Sequence, residues 1–365
     1  MIFLRQRMWG VAVGLLCCAS LTAAQVDPKT ALQERAGFEA LNAGRAHEAA
    51  SLFRDALAGD PKNARLHLGA AAAAYLERRD ADAETEAERA LDLDATLTQA
   101  REILGAALHR LGDVAGAIRA YEALTASAPA DADAAAMLER WRREADLHDR
   151  MLQTVGSHFT VSFEGPQEAA LAEQALASLD RAYWRIGQAL GTYPYEPVPV
   201  ALYTAQQFSD ITRAPAWSGG SFDGVIRVPM RGALDNPKEL DRVLAHEFVH
   251  ALVHTLAGRG VPAWLNEGLA TALETGEPDQ TERRVADTHT AVPISALPAS
   301  FGRLTGAQAQ LAYATSAMAV RRLLDEAGGV AVANLLRDLG DGADFDAAFL
   351  HRIQRTFADF QASVH

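Results

Sequence analysis

Leu244-Ala245-His246-Glu247-Phe248-Val249-His250-Ala251 is an HExxH motif set in an apolar run. On an α-helix, residues four apart lie about 40° apart around the axis and one turn along it. His246 and His250 then aim their imidazoles at one point. Glu247 stands to the side, where a carboxylate reaches a water at that point without ligating the same ion. Two neutral nitrogen ligands, an open position for water and a neighbouring base are the requirements of metal-assisted hydrolysis. The flanks favour a helix: Asn236 suits the N-cap, Pro237 the first helical position, and Glu239 completes a capping-box pattern. Leu240, Val243, Leu244, Phe248 and Leu252 supply a buried stripe, with Gly258 as the expected C-terminal cap. Two histidines one turn apart also occur on plain buried helices, so the motif alone does not decide the matter.

The third ligand comes from Pro262-Ala263-Trp264-Leu265-Asn266-Glu267-Gly268-Leu269-Ala270, which opens a second short helix. Glu267 follows His250 with 16 residues between them. A loop of that size turns back and lays the second helix against the first, bringing the Glu267 carboxylate to the same ion. Gly268 removes a side chain where the helices would approach. The competing HExxHxxGxxH pattern fails, because Val253 and Leu256 stand where it requires Gly and His.

The pairing of HExxH with Trp264-Leu265-Asn266-Glu267-Gly268 resembles the gluzincin metallopeptidases, specifically the bacterial peptidase MA-like domains that often follow tetratricopeptide (TPR) repeats. The resemblance implies a Zn2+ ion on His246, His250 and Glu267, with Glu247 as general base in peptide-bond hydrolysis. Gluzincins often stabilise the developing oxyanion with a Tyr or His from a later helix. Tyr313, in Leu311-Ala312-Tyr313-Ala314-Thr315-Ser316, resembles that segment; a core tyrosine satisfied locally is the other reading. The family fold also implies that the sheet edge beside the metal helix, here Phe222 to Val228, pairs with an extended substrate backbone. No acidic anchor for a free substrate amine stands out there, which favours an endopeptidase.

Other polar residues are weaker candidates. His254 is one turn beyond His250, either a fourth ligand or a supporting histidine. Asn266 and Thr271 flank Glu267 and are candidates for hydrogen bonds that orient a ligand. Thermolysin-like enzymes carry aspartate where this chain has Thr271, so their supporting contacts do not transfer. Arg227 and Arg231 read as exposed strand-end arginines within reach of substrate. His158, His289 and His351 have no motif around them.

Upstream, residues 33–146 are alanine-rich and repeat with a period of 34. Ala49, Ala83 and Ala117 fall in register, as do Phe53, Ala87 and Tyr121, and Ala56, Ala90 and Leu124. Pro61, Ala95 and Pro129 close the repeats, Gly44, Arg78 and Gly112 occupy the turns, and Gly37, Ala71 and Gly105 are small positions on the first helices. This resembles three TPR repeats, whose paired helices bury their apolar faces only by stacking on neighbours. Asp131 to Gln153, with Met137, Leu138, Trp141 and Leu147, is expected as a cap or linker helix. Such an array either offers a concave surface to a protein partner or serves as a spacer.

With 365 residues there is chain for two cores. A formal net charge of -13 argues against a nucleic-acid partner. Met1 to Ala24 reads as a secretory signal, with Arg5 and Arg7 before the apolar run Val11–Leu21 and small residues at Thr22-Ala23-Ala24. An uncleaved anchor is the alternative. Both cysteines, Cys17 and Cys18, lie in this segment, so the mature chain would need no disulfide, and no lipobox precedes Cys17. The expectation is a periplasmic or secreted protein without stable membrane insertion.

The expected architecture is therefore a signal peptide at 1–24, an all-α TPR array at 33–146, and an α+β gluzincin-like domain at 155–365 with a small mixed sheet and a helical C-terminal part. The function read from it is zinc metallopeptidase, with the repeats recruiting protein substrate or a partner. The competing class is a non-enzymatic TPR adaptor with a zinc-binding module.

Overall fold

The computed structural model describes residues 28–212, 220–230, 236–258, 260–288, 290–302 and 304–364. The expected signal segment with both cysteines lies outside the described residues, as do Gly219, Arg231 and His289. The chain divides into two units, Met1–Arg143 and Glu144–His365.

The first unit is a run of helix pairs: α1 (Pro28–Asn42) with α2 (Ala46–Gly59), α3 (Ala64–Leu76) with α4 (Asp80–Leu93), and α5 (Thr98–Arg110) with α6 (Val114–Ser127). The 34-residue register is structural. Ala49, Ala83 and Ala117 are fully buried, and so are Ala56, Ala90 and Leu124. Small residues let aromatics of the paired helix come close: a Cβ on Gly37 would stand 2.7 Å from the Phe53 ring, and one on Gly105 2.5 Å from Tyr121. The turns at Gly44, Arg78 and Gly112 are all left-handed, with φ of 75°, 63° and 86°. Only the middle repeat sets a side-chain-bearing residue there, at a conformational cost that glycine avoids. In α7 (Ala132–His148), Leu138 and Trp141 are buried, Trp141 lying edge-on to Tyr121 at 4.5 Å.

The second unit holds a five-stranded mixed sheet in the order β1-β2-β3-β5-β4. Its strands are β1 (Met151–Val155), β2 (Phe159–Glu164), β3 (Val198–Tyr203), β4 (Ser221–Phe222) and β5 (Ile226–Pro229). β2, β3 and β5 run parallel, and β1 and β4 pair antiparallel at the two ends. In β2, Phe159, Val161 and Phe163 face the core, the alternation expected of a half-buried strand. Two expectations are corrected here. Asp131 to Gln153 is not one helix, because α7 stops at His148 and Met151 starts a strand. The Phe222–Val228 stretch is not a single edge, because β5 is paired on both sides and the edge belongs to Ser221 and Phe222.

Arg227 is another correction. It is 3% exposed, forms an ion pair with Glu144 at 2.8 Å, and donates to Asp223, so it is a core group and not a substrate contact. The pairing explains how a guanidinium is tolerated inside a sheet.

Helix α8 (Ala169–Leu190) covers the sheet and buries Leu171, Leu179, Tyr183 and Ile186. After the short α9 (Ala205–Thr212) come α10 (Pro237–Leu256) and α11 (Ala263–Thr275). The Asn236 side chain accepts from the Glu239 amide as an N-cap should, but the Glu239 carboxylate turns to Arg242 instead of completing a capping box. The C-cap is Ala257, one residue before the expected Gly258. Next comes α12 (Gln280–Thr288), held inward by Val285 and by Glu282, which pairs with Arg321 at 2.9 Å. Four further helices close the unit: α13 (Gly306–Ala327), α14 (Gly329–Gly340), α15 (Phe345–Ile353) and α16 (Phe357–Ala362). The last two are separate because Gln354 turns left-handed, with φ 59°. Among the described residues, no helix is long and apolar enough to cross a membrane.

Candidate metal centre

α10 buries Leu240, Val243, Leu244, Phe248 and Leu252, the stripe legible in the sequence. That burial fixes the rotation of the helix, and the rotation turns His246 and His250 toward α11. Gly268 faces α13 and not α10, which corrects the expectation that it eases the approach of the two metal-site helices. A Cβ there would stand 2.5 Å from the Ser316 carbonyl oxygen.

The result is one cluster. His246, His250 and Glu267 each offer a donor atom within 4.8 Å of the others. Nε2 of His250 is 3.5 Å, and Nε2 of His246 3.8 Å, from Glu267 Oε2. Donors around one tetrahedral cation with bonds of 2.0–2.1 Å stand about 3.4 Å apart. The spacing and the donor chemistry, two imidazoles and one carboxylate, therefore fit a single divalent cation.

Both ring orientations are set from behind. His246 Nδ1 donates to Glu274 Oε2 at 2.8 Å, and His250 Nδ1 donates to the Asn266 side-chain oxygen at 3.1 Å. Each contact commits a proton to Nδ1 and leaves Nε2 as the nitrogen facing the cluster. Glu274 is itself gripped by Arg242, whose Nη1 lies 3.1 and 3.0 Å from its two oxygens. Arg242 also meets Glu239 through Nε and Nη2, at 3.0 and 2.6 Å. Those bonds raise the Arg242 pKa, the Glu239 hydrogen bond first, so the guanidinium stays charged.

Electrostatics agree with a cation site. Burial by itself would lower His250, but Glu267, Glu247 and Asn266 outweigh it and hold the imidazole up to about 9. Burial would raise Glu267, but His250, His246 and the Tyr313 hydroxyl bring it below the usual carboxylate range. In both cases the carboxylates attract positive charge to the same spot.

Glu247 lies beside the cluster, 5% exposed, and burial raises its pKa. Its Oε2 is buried and has no hydrogen-bond partner among the described residues. A buried carboxylate oxygen left unbonded is costly, and a water or substrate group in the site would satisfy it. Gly220 backs it: a Cβ there would stand 2.7 Å from Glu247 Cγ and Oε1.

Tyr313 also arrives at the cluster, on α13. Its ring centroid is 6.4 Å from that of His246, and its hydroxyl hydrogen-bonds Glu267. Burial first, and then Glu267, raise its pKa, which keeps it a donor. Phe301 packs edge-on against its ring at 5.4 Å.

The weaker candidates separate. Asn266 orients His250 as expected. Thr271 does not orient a ligand: it is buried with its hydroxyl oxygen unpartnered among the described residues. His254 points to Phe222, ring centroids 5.5 Å apart, and is outside the cluster. His158 stacks on Tyr183 at 3.8 Å, and His351 is exposed beside Asp338. Sequence reasoning missed Glu274 and Arg242. The signal was present: Glu274 follows Glu267 by two helical turns, and Arg242 precedes His246 by one, so both share the site's faces.

Residues 177–356 match the family model described as Peptidase MA superfamily. The match spans every residue of the cluster and its supports. This chain is 34% identical over 132 residues to the Hsp70-Hsp90 organizing protein of Triticum aestivum, an alignment covering 36% of this chain. It spans only 23% of that relative's length. Among solved structures, the first TPR of Spaghetti (RPAP3) bound to an HSP90 peptide is similar at 24% identity and TM-score 0.31, over 32% of this chain and 96% of that one. The first TPR domain of human RPAP3 is similar at 23% identity and TM-score 0.31, over 32% and 93%.

Proposed function

We propose that this chain, TPR repeats followed by a Peptidase MA superfamily domain, is a zinc-dependent endopeptidase of the periplasm. The observation that carries the reading is the convergence of His246, His250 and Glu267 on one point beside the buried, unsatisfied Glu247 carboxylate.

His246, His250 and Glu267 would hold the Zn2+. When bound, the ion supplies Lewis acidity, polarising a carbonyl and lowering the pKa of water. Glu247 accepts the proton of the water that attacks the scissile carbonyl and returns it to the leaving amine. Burial raises its pKa, which makes the carboxylate a stronger base toward that water. Tyr313, packed against Phe301, would turn its O–H from Glu267 to the carbonyl oxygen as negative charge develops. The edge strand Ser221–Phe222 offers main-chain groups to an extended polypeptide. The repeats would recruit the protein substrate or a partner.

Metal analysis tests the proposal. Purified mature protein should hold close to one zinc per chain, and a chelator should lower its melting temperature and abolish hydrolysis of an unfolded protein. Protein that takes up no zinc at micromolar supply would exclude the mechanism.

A further inference from the structure

The metal ligands are reached by a second, unassigned layer that runs along both helices. On α10, Glu239, Arg242 and His246 follow at intervals of three and four residues, so they share one face. On α11, Glu267 and Glu274 are seven apart and share another. The two faces meet, and the chain of contacts is Glu239, Arg242, Glu274, His246.

Its geometry is that of a directed latch. Glu274 Oε2 receives both the His246 Nδ1–H at 2.8 Å and Arg242 Nη1 at 3.0 Å. The Glu274 side chain is only 7% exposed, so water contributes little to its placement. The backbone beneath it is pinned separately: Arg185, from α8, donates to the carbonyl oxygens of Leu273 and Glu274 at 2.5 and 3.0 Å. With the main chain fixed by one arginine and the carboxylate by another, Glu274 presents Oε2 to His246.

We propose that Arg242 is a positioning residue for the metal site, acting solely through Glu274 to hold His246 with Nε2 turned to the ion. Arg242 does not contact the site. It keeps the Glu274 carboxylate aimed, and Glu274 fixes the tautomer and tilt of the imidazole. The inference rests on the metal-binding reading above and adds to it which residues outside the ligand set determine affinity. It also sorts the three helices: α10 and α11 carry the ligands, and α8 stabilises the end of α11 that carries the latch.

The test is a double-mutant cycle on zinc affinity, measured by competition with a chromophoric chelator on full-length metal-stripped protein. Wild type, Arg242→Met, Glu274→Gln and the double variant are compared, with thermal melts of each metal-free form. Loss of a support of this kind lowers metal affinity by roughly 10–100-fold. Arg242→Met and Glu274→Gln should each fall in that range, and the double variant should be within about twofold of Glu274→Gln. Arg242→Lys, which keeps one charged donor, should recover part of the loss. Affinity losses that multiply in the double variant would overturn the inference, because Arg242 would then act by another route. So would a lowered melting temperature with zinc affinity unchanged, the mark of a purely structural residue. If wild type itself binds no zinc, the metal reading fails and this inference with it; if wild type binds and Arg242→Met binds equally, the inference alone fails.

Discussion

A Cβ placed on Gly220 would stand 2.7 Å from both Cγ and Oε1 of Glu247, closer than side-chain carbons approach one another. Gly220 is therefore the wall against which the buried carboxylate rests. Gly220→Ala must shift Glu247, while His246, His250 and Glu267 keep their own supports. The expected outcome is a fall in turnover of tenfold or more, on the order expected for small misplacement of a reacting group, with zinc content unchanged. Steady-state kinetics with metal analysis on the same sample checks it.

Glu267 brings a carboxylate from α11 to the two imidazoles of α10, so its removal should be read in metal affinity. Glu267→Ala leaves two imidazoles and should lower zinc affinity by at least about 100-fold, more than loss of a supporting contact. Equilibrium dialysis measures it. The variant should also lose most of the thermal stabilisation that zinc gives wild type, since stabilisation by a ligand follows its affinity.

Gly268 sets the distance between α11 and α13. Alanine would gain about 1 kcal/mol of helix propensity. Against that stands a contact of 2.5 Å with the Ser316 carbonyl oxygen, which is backbone and cannot swing aside. Overpacking of this kind costs about 1–3 kcal/mol. The steric term wins, and Gly268→Ala should melt several degrees below wild type, as read by circular dichroism.

At the far end of the unit, Arg352 donates to both Asp338 oxygens, at 2.7 and 2.8 Å, and this hydrogen bonding holds Asp338 below the usual carboxylate range. A pKa lowered in the folded state stabilises the fold above the unfolded value, about 3.9, and is lost as pH falls through the folded one. Arg352→Gln should therefore be less stable than wild type at pH 7. The gap should narrow as the medium is acidified below about pH 4. Urea melts at the two pH values measure it.

The cluster of His246, His250 and Glu267 was legible because helical spacing is local: His246 and His250 by one turn, Glu267 by a loop of suitable length. The repeats were legible for the same reason, since the left-handed turns at Gly44, Arg78 and Gly112 recur in register. What the sequence hid was non-local. That β5 is covered and Ser221–Phe222 forms the edge depends on strand order, which crossovers set and alternation does not report. Arg227 looked like a surface residue because its partner Glu144 is 83 positions away. The α12 helix has a weak apolar stripe, and its inward face includes Glu282, acceptable there only because Arg321 meets it. Thr271 was a candidate because it lies close to Glu267 in sequence, while the carboxylate that orients His246 came from Glu274, three residues later on α11.

The most direct test of peptide hydrolysis is mapping of new N-termini in a mixed cell-envelope protein extract, with wild type compared against Glu247→Ala at equal zinc content. New termini that appear with wild type alone are the predicted result, and the residues flanking them would give the cleavage preference. Identical termini in the two samples, with zinc bound in both, would contradict the account and leave the metal centre as a binding module.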